Sequence, residues 1–403
     1  MNSIFNVTRS ALVDESIVSY EYHNIYSYTN ATYKNNDEII FTIQTKDSYT
    51  LPSESRLLIE MDVARVDKKA MEGHNGLTSF GLLHLFSDIT YSINGIKIDE
   101  ARGVGTTSAM KGLVSLNQED ARRYEGSILH MDTITPNTSV SACIPLKMVL
   151  GFMEDYKRVV WNAKQDLTII RSQTDKNAFK VEVVEGDLVI TIKNIVWQVP
   201  FIIPADSIKL HMLKLLKNNT ILTLPFRSWN LYSYPNLPVN TKALTWPIRT
   251  STSLERPRFL IVGFQTKKLD NILADASKFD HCDVRNVTAF LGTERYPYVA
   301  HNADFEKQKY SSLYEAYAAF RRAYYNYSTD QPLVNHSTFS KSYPLWIIDT
   351  RHQSEVSSSS NIDIKLEIET SKPIPADTSC HCLIIADRVI EISPFSGIVK
   401  QLV

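Results

Sequence analysis

Ile362-Asp363-Ile364-Lys365-Leu366-Glu367-Ile368-Glu369 alternates without a break between apolar and charged residues. A period of two belongs to a β-strand with one face in a core and the other in water. The reading extends outward from there. Leu57, Ile59, Met61 and Val63 share one face of a strand, with Glu60 and Asp62 on the other. Phe179, Val181 and Val183 repeat the pattern, as do Leu188, Ile190 and Ile192 after the turn-like Glu185-Gly186-Asp187. Ile89, Tyr91 and Ile93 run into Asn94-Gly95, a strong hairpin signal, and Ile96 and Ile98 follow it. The runs 259–264, 345–348 and 383–386 are continuously apolar and are expected to be buried on both faces. One-sided alternation implies antiparallel sheets with one wet and one dry face. Short strands at repeated spacing point to sandwiches or barrels.

Helical periodicity is confined to four places. Leu146, Val149, Met153, Tyr156 and Val160 step by three and four after Pro145, although Gly151 weakens that helix. Ile208, Met212 and Leu215 form a stripe in a lysine-studded segment opened by Pro204 and Asp206. Leu313, Tyr317, Phe320 and Tyr324 form another. A weaker candidate covers 107–124, where Asn117 and Asp120 are placed to cap a second turn. All four are expected as packing elements. Because β-helix-β alternation does not recur, a parallel α/β sheet is excluded.

The chain has 403 residues, and the helical segment near 204 falls close to its midpoint with several strands on either side. The expected organisation is all-β, with two tandem jelly-roll β-sandwiches and a few inserted helices. An N-terminal arm covers 1–37, a first jelly roll 38–203, a connecting helix 204–219 and a second jelly roll 220–403. No internal repeat is visible at the level of identity. The loop 353–361, with its serine run 357–360, reads as a flexible surface tip.

Composition narrows the function. The hydrophobic fraction is 43% and the charged fraction 22%, which excludes a disordered or collagen-like chain. The net charge of −1 lacks the basic excess of a free-standing nucleic-acid binder. Residues 201–250 hold six basic side chains and one acidic, a local excess read as a solvated face ahead of a nucleic-acid surface. Four cysteines, Cys143, Cys282, Cys380 and Cys382, are too few for a disulfide scaffold. They imply a reducing compartment, as does an N-terminus without a basic region followed by an apolar one. In that setting the seven Asn-x-Ser/Thr triplets read as chance products of an Asn- and Thr-rich chain. No apolar run approaches the ~20 residues of a membrane helix, so no membrane span is expected.

The search for chemistry yields little. Arg102-Gly103-Val104-Gly105 begins like a nucleotide loop, but no Gly-Lys-Ser/Thr follows, and Ser108 stands where a dinucleotide fingerprint needs its third glycine. It reads as a turn. Asp275, Asp280, His281, Cys282 and Asp283 cluster in sequence, and Cys380-His381-Cys382 lies downstream, without the pair spacing of a zinc site. Cys380 and Cys382 share a strand face and are expected in the core. No residue is singled out as catalytic, cofactor-binding or metal-ligating, and no cofactor is expected.

Two stretches carry a resemblance. The first runs from Pro145-Leu146-Lys147 through Gly151-Phe152-Met153-Glu154-Asp155-Tyr156 to Leu167-Thr168-Ile169-Ile170-Arg171-Ser172. The second is Phe226-Arg227-Ser228-Trp229-Asn230-Leu231-Tyr232-Ser233-Tyr234-Pro235, followed by Leu254-Glu255-Arg256-Pro257-Arg258-Phe259 and Phe279-Asp280-His281-Cys282. Together they resemble the double jelly-roll, major-capsid-protein-like family of viruses, Polinton-type and adintovirus-like elements and endogenised invertebrate copies. The resemblance covers about residue 38 to the end. It implies a structural, non-enzymatic capsid protein whose homotrimers form pseudo-hexagonal capsomers and tile an icosahedral shell. The implied partners are further copies of the chain, minor or penton capsid proteins and weakly contacted packaged DNA. The implied location is the virion, after synthesis in the host cytoplasm or nucleus. Two alternatives stay open: a domesticated relative without assembly, and a tandem jelly-roll protein that binds or processes glycans. The aromatic segments 229–234 and 324–327 suit either contacts between subunits or packing within one.

Overall fold

The computed structural model describes residues 16–28, 33–44, 49–65, 76–129, 138–181, 188–248, 256–352 and 363–402. The turn at 185–187 and the serine run 357–360 lie outside them.

In the N-terminal half, β1 (Ile17–Tyr26), β2 (Glu38–Ile43), β3 (Tyr49–Thr50) and β4 (Arg56–Arg65) come first. They are followed by β5 (Gly76–Leu77), β6 (Phe86–Ile93), β7 (Ile96–Arg102), α1 (Val104–Ser115) and α2 (Gln118–Arg123). Then come β8 (Thr138–Pro145), α3 (Gly151–Asp155), β9 (Val160–Trp161), β10 (Gln165–Arg171), β11 (Phe179–Lys180) and β12 (Leu188–Pro204). Helix α4 (Asp206–Lys217) leads to the second half. That half holds β13 (Leu222–Tyr234), β14 (Ala243–Ile248), β15 (Arg256–Thr266), β16 (Val284–Leu291) and β17 (Glu294–Tyr296). Helices α5 (Ser311–Tyr325) and α6 (His336–Ser342) precede β18 (Trp346–Asp349), β19 (Ile364–Thr370), β20 (Thr378–Ile392) and β21 (Val399–Gln401).

The sheets repeat one plan. In the first half β12 is central, with β1 along one edge, β4 and then β8 along the other, and β2-β10-β6-β7 forms the second sheet. In the second half the sheets are β13-β20-β15-β18 and β14-β19-β16-β17. Leaving aside the two-residue strands and β21, the eight strands of each half pair as first-eighth-third-sixth and second-seventh-fourth-fifth. That is the jelly-roll arrangement. It occurs twice, and in both halves a pair of helices, α1 and α2 or α5 and α6, is inserted between the fifth and sixth strands. The repeat is one of topology, invisible to a comparison of identities.

The alternating stretches are strands with the expected inner faces. Leu57, Ile59, Met61 and Val63, and likewise Ile364, Leu366 and Ile368, are buried, while Glu60 is exposed. Ile362 and Val183 lie outside the described residues. The Asn94-Gly95 turn has positive φ at both residues, 52° and 78°, as a two-residue hairpin loop of the I′ type requires. The three apolar runs are buried throughout.

Three readings need correction. The arm expected over 1–37 includes a full strand: β1 pairs antiparallel with β12, Tyr26 opposite Val196 and Tyr20 opposite Ile202. It lacked a strand signature because it is an outer strand whose large residues, Val18, Tyr20, Tyr22 and Tyr26 among them, stay exposed. The helix expected over 146–160 is a 3-10 turn (Leu146–Met148) and the five-residue α3, interrupted at Leu150, whose backbone is extended. The chain then turns at Tyr156 and enters β9. Lastly, α4 is not a packing element of the ordinary kind, since none of its residues is fully buried. By contrast α5 buries Leu313, Tyr317, Phe320 and Tyr324; α2 starts on the Asn117–Asp120 capping box but, like α4, has no fully buried residue.

Candidate functional site: the seam between the two lobes

The two stretches that carried the family resemblance meet face to face. Gly151 opens α3 against the backbone of β13, so close that a Cβ there would stand 1.7 Å from the Arg227 carbonyl oxygen. Only glycine permits that approach. The two residues at the C-terminal end of α3 then reach across. Asp155 accepts from Arg227 Nε at 2.7 Å and Nη2 at 2.5 Å, and also from the Arg227 backbone N–H at 2.9 Å. Phe152 meets Phe226 edge to face, centroids 5.3 Å apart.

Glu154 anchors the adjoining cluster. Its carboxylate lies 3.0 Å from Lys111 Nζ of α1 and accepts 2.5 Å hydrogen bonds from the hydroxyls of Tyr324 and Tyr325 of α5. The Lys111 side chain is 3% exposed. Its ammonium sits over the rings of Trp229 and Tyr324, 4.5 and 4.3 Å from the centroids, and the Arg227 guanidinium is 3.6 Å from the Tyr324 centroid. Burial pushes Lys111 down from the ordinary lysine value, and the Glu154 charge opposes it. Burial, and next the Glu154 charge, hold both tyrosine hydroxyls far above their usual range. Burial alone would lower Arg227, but its bonds to Asp155 outweigh that and raise it. Two cations face two carboxylates; the Tyr324 hydroxyl takes the Glu154 oxygen that Lys111 leaves, and the Tyr325 hydroxyl shares the other. This is the arrangement that makes buried charge tolerable.

The inserted helices of the two lobes complete the seam. Tyr317 donates to the Leu113 carbonyl at 2.7 Å, and Arg321 Nε to that of Ser115 at 3.2 Å. Asn117 Nδ2 donates to Gln331 at 3.0 Å. Arg388 Nη1 of β20 donates to the Ile98 carbonyl of β7 at 3.1 Å. A chain of buried and partly buried contacts across so wide a front couples the two sandwiches. Trp229 and Tyr324 therefore pack within the chain, whereas Tyr327 is 47% exposed.

Elsewhere the chemistry is sparse. Arg102-Gly103-Val104-Gly105 is the turn into α1, with Gly103 at φ 53°. Cys380 and Cys382 are buried in β20, and burial raises both thiols, so they behave as small apolar residues. Among the described residues no group of three or more His, Cys, Asp or Glu is placed to hold a metal ion. None of their helices is long and apolar enough to cross a membrane. A surface concavity of about 420 Å³ is lined by Glu54, Arg56, Arg123, Tyr124, Glu125 and Lys147, a mixed set of acids and bases.

Gly151, Glu154, Asp155, Arg227, Trp229 and Tyr324 stand out in the sequence, but nothing in it shows that they meet, and Lys111 does not stand out at all. Lys111 and Glu154 are 43 residues apart, and Glu154 and Tyr324 are 170 apart. Neither separation leaves a local pattern. The one signal that bore on it was Gly151, a helix-weakening residue where a helix was expected.

Comparison with known proteins agrees with this architecture. No curated protein sequence matches the chain. Among solved structures, the capsid of the virus PBCV-1 superposes with a TM-score of 0.62 at 9% identity, over 98% of this chain and 99% of that one. The virophage Sputnik superposes at 0.60 and 10% identity, over 100% and 92%. The Faustovirus major capsid protein gives 0.61 and 10%, over 95% and 92%. At such identities these matches speak for the fold. The family model of the double jelly roll-like domain matches residues 77–390. With two eight-stranded jelly rolls of one strand order joined by a built seam, the chain belongs to the double jelly roll-like family.

Proposed function

We propose that this chain is a structural major capsid protein, not an enzyme, and that three copies form a pseudo-hexagonal capsomer that tiles an icosahedral virus shell. The observation that carries the reading is the pairing of two sandwiches of one strand order across a hydrogen-bonded, ion-paired seam. A chain that presents two like lobes at a fixed angle gives a ring of six like lobes when three copies close around an axis. Closed cyclic symmetry lets every copy satisfy the same patches, and the outer edges are left for tiling. Coupling through Asp155–Arg227 and the Lys111–Glu154 cluster supplies the stiffness that a lattice brick needs.

Exposed apolar side chains suit lateral contacts. Val18 is 70% exposed on β1, and Tyr298 is 91% exposed on the loop after β17. Large uncovered apolar surface marks interaction sites. The capsid relatives support self-association as the primary partnership. Minor or penton capsid proteins and packaged DNA are the expected further contacts, in a virion formed in the host cytoplasm or nucleus. We propose the segments on either side of α4 as the two lobes, with β1 counted in the first. Electron micrographs of the purified chain are expected to show particles of hexagonal outline or closed shells. Isolated, strictly monomeric molecules at all salt concentrations would overturn the reading and return the glycan-binding alternative.

A further inference from the structure

Helix α4 is amphipathic in an unusual sense. One stripe, Met212, Leu215 and Leu216, is half-buried. Its outer stripe carries Leu210, Leu213, Lys214 and Lys217, all exposed, at the i, i+3, i+4, i+7 spacing of one helix face. Leu210 is 60% and Leu213 56% exposed. Ile203 before the helix and Ile221 after it are 49% and 56% exposed. The one acid of the helix, Asp206, lies in its first turn and pairs with Lys209 at 3.4 Å. No ion pair with a described residue engages Lys214 or Lys217.

Leucine and lysine interleaved on one face suit three kinds of occupant unequally. A nucleic-acid backbone would use the lysines and gain nothing from exposed leucines. A protein partner would use the leucines, but lysine is depleted from the cores of protein interfaces. An anionic bilayer surface uses both. The leucines enter the boundary between headgroups and acyl chains, while the lysine stems lie along it and their ammonium groups meet lipid phosphates and carboxylates. We propose that the outer face of α4 is a docking surface for an anionic lipid membrane, lying on it without spanning it. This holds whether or not the chain assembles.

The test is flotation of the full-length protein with vesicles of phosphatidylcholine containing about a third phosphatidylserine, against pure phosphatidylcholine, at low and high salt. The expected result is flotation with anionic vesicles only, weakened by salt. Each lysine near such a surface contributes roughly fivefold in partitioning, so Lys214→Gln/Lys217→Gln is expected to reduce it on the order of twentyfold. Leu210→Ser/Leu213→Ser is expected to reduce it on the order of tenfold or more. All four side chains are exposed, so an unchanged thermal midpoint serves as the check on folding. Absence of flotation with either vesicle overturns the proposal. So does flotation that the leucine variant leaves intact, since that reports charge alone. Capture of duplex DNA without vesicle binding assigns the face to nucleic acid and overturns it. A fall in native mass caused by the leucine variant, again without vesicle binding, assigns the face to a second copy and overturns it as well. Native mass measured on the same sample separates these outcomes from a failure of the capsid reading.

Discussion

Asp155 and Arg227 show how two distant residues fix the relation of two domains. Their side chains are 15% and 23% exposed, and the bidentate geometry leaves the carboxylate depending on one partner. Arg227→Met keeps the stem and removes the charge. It is expected to lower stability by about 2–3 kcal/mol, less than a fully buried pair because water reaches both groups. The shift would be read from the denaturant midpoint, and a change under 0.5 kcal/mol would mean that the seam does not hold the lobes. Two buried histidines give the protein a pH dependence. Burial lowers His84 to about 4, opposed by Asp275 and assisted by His381, and burial lowers His381 to about 4 as well. Each Nε2 is buried without a hydrogen-bond partner, and Ser233 Oγ lies 2.9 Å from His381 Nδ1. The folded state binds these protons less readily than the unfolded chain does. The stability they contribute is therefore complete above pH 6.5 and is lost as the pH falls toward 4. The loss is on the order of 3 kcal/mol for each histidine. Thermal midpoints should fall across that window, and His84→Leu/His381→Leu should flatten the slope. A parent midpoint unchanged from pH 6.5 to 4 would contradict neutral burial of both rings.

At the scale of elements, β19 is the plainest case. Leu366 is fully buried between Trp246 of β14 and Ala289 of β16 in the pairing register. Leu366→Asp would bury an unpaired charge at a cost of several kcal/mol, against a domain stability of roughly 5–15. The variant is expected to be insoluble on expression. A soluble variant melting within a few degrees of the parent would show the face assignment to be wrong. This strand was legible because its period is local and one face is wet. The apolar runs in β15 and β20 were legible for the opposite reason, being buried on both sides. Besides α4, β1 and the segment 146–160 were misread, each for a physical cause. β1 is an outer strand with tyrosines on its exposed surface, so neither period nor composition separated it from an arm. The segment 146–160 has helical spacing, but Gly151 is there for backbone contact with β13, and Glu154 and Asp155 turn toward the second lobe. Tertiary contact overrode local preference. Lys111 marks the limit at the site itself, since a lysine in a helix reads as exposed until the distant Glu154 and the three rings around it are known.

At the scale of the molecule, the two halves share strand order and the position of their helical insertions, and equivalent insertions meet at the seam through Tyr317 and Arg321. A duplicated sandwich held this way is a single brick with two similar faces. The central claim is that three such bricks close into one ring. An obligate interface of that kind buries upwards of about 2,000 Å² per pair and is more apolar than ordinary surface. Native mass spectrometry of the purified chain tests the claim most directly. For a monomer of 45.9 kDa, a dominant species at three times that mass, persisting at micromolar concentration across salt and pH near neutrality, is the predicted result. A single species at 45.9 kDa under all of those conditions would contradict it.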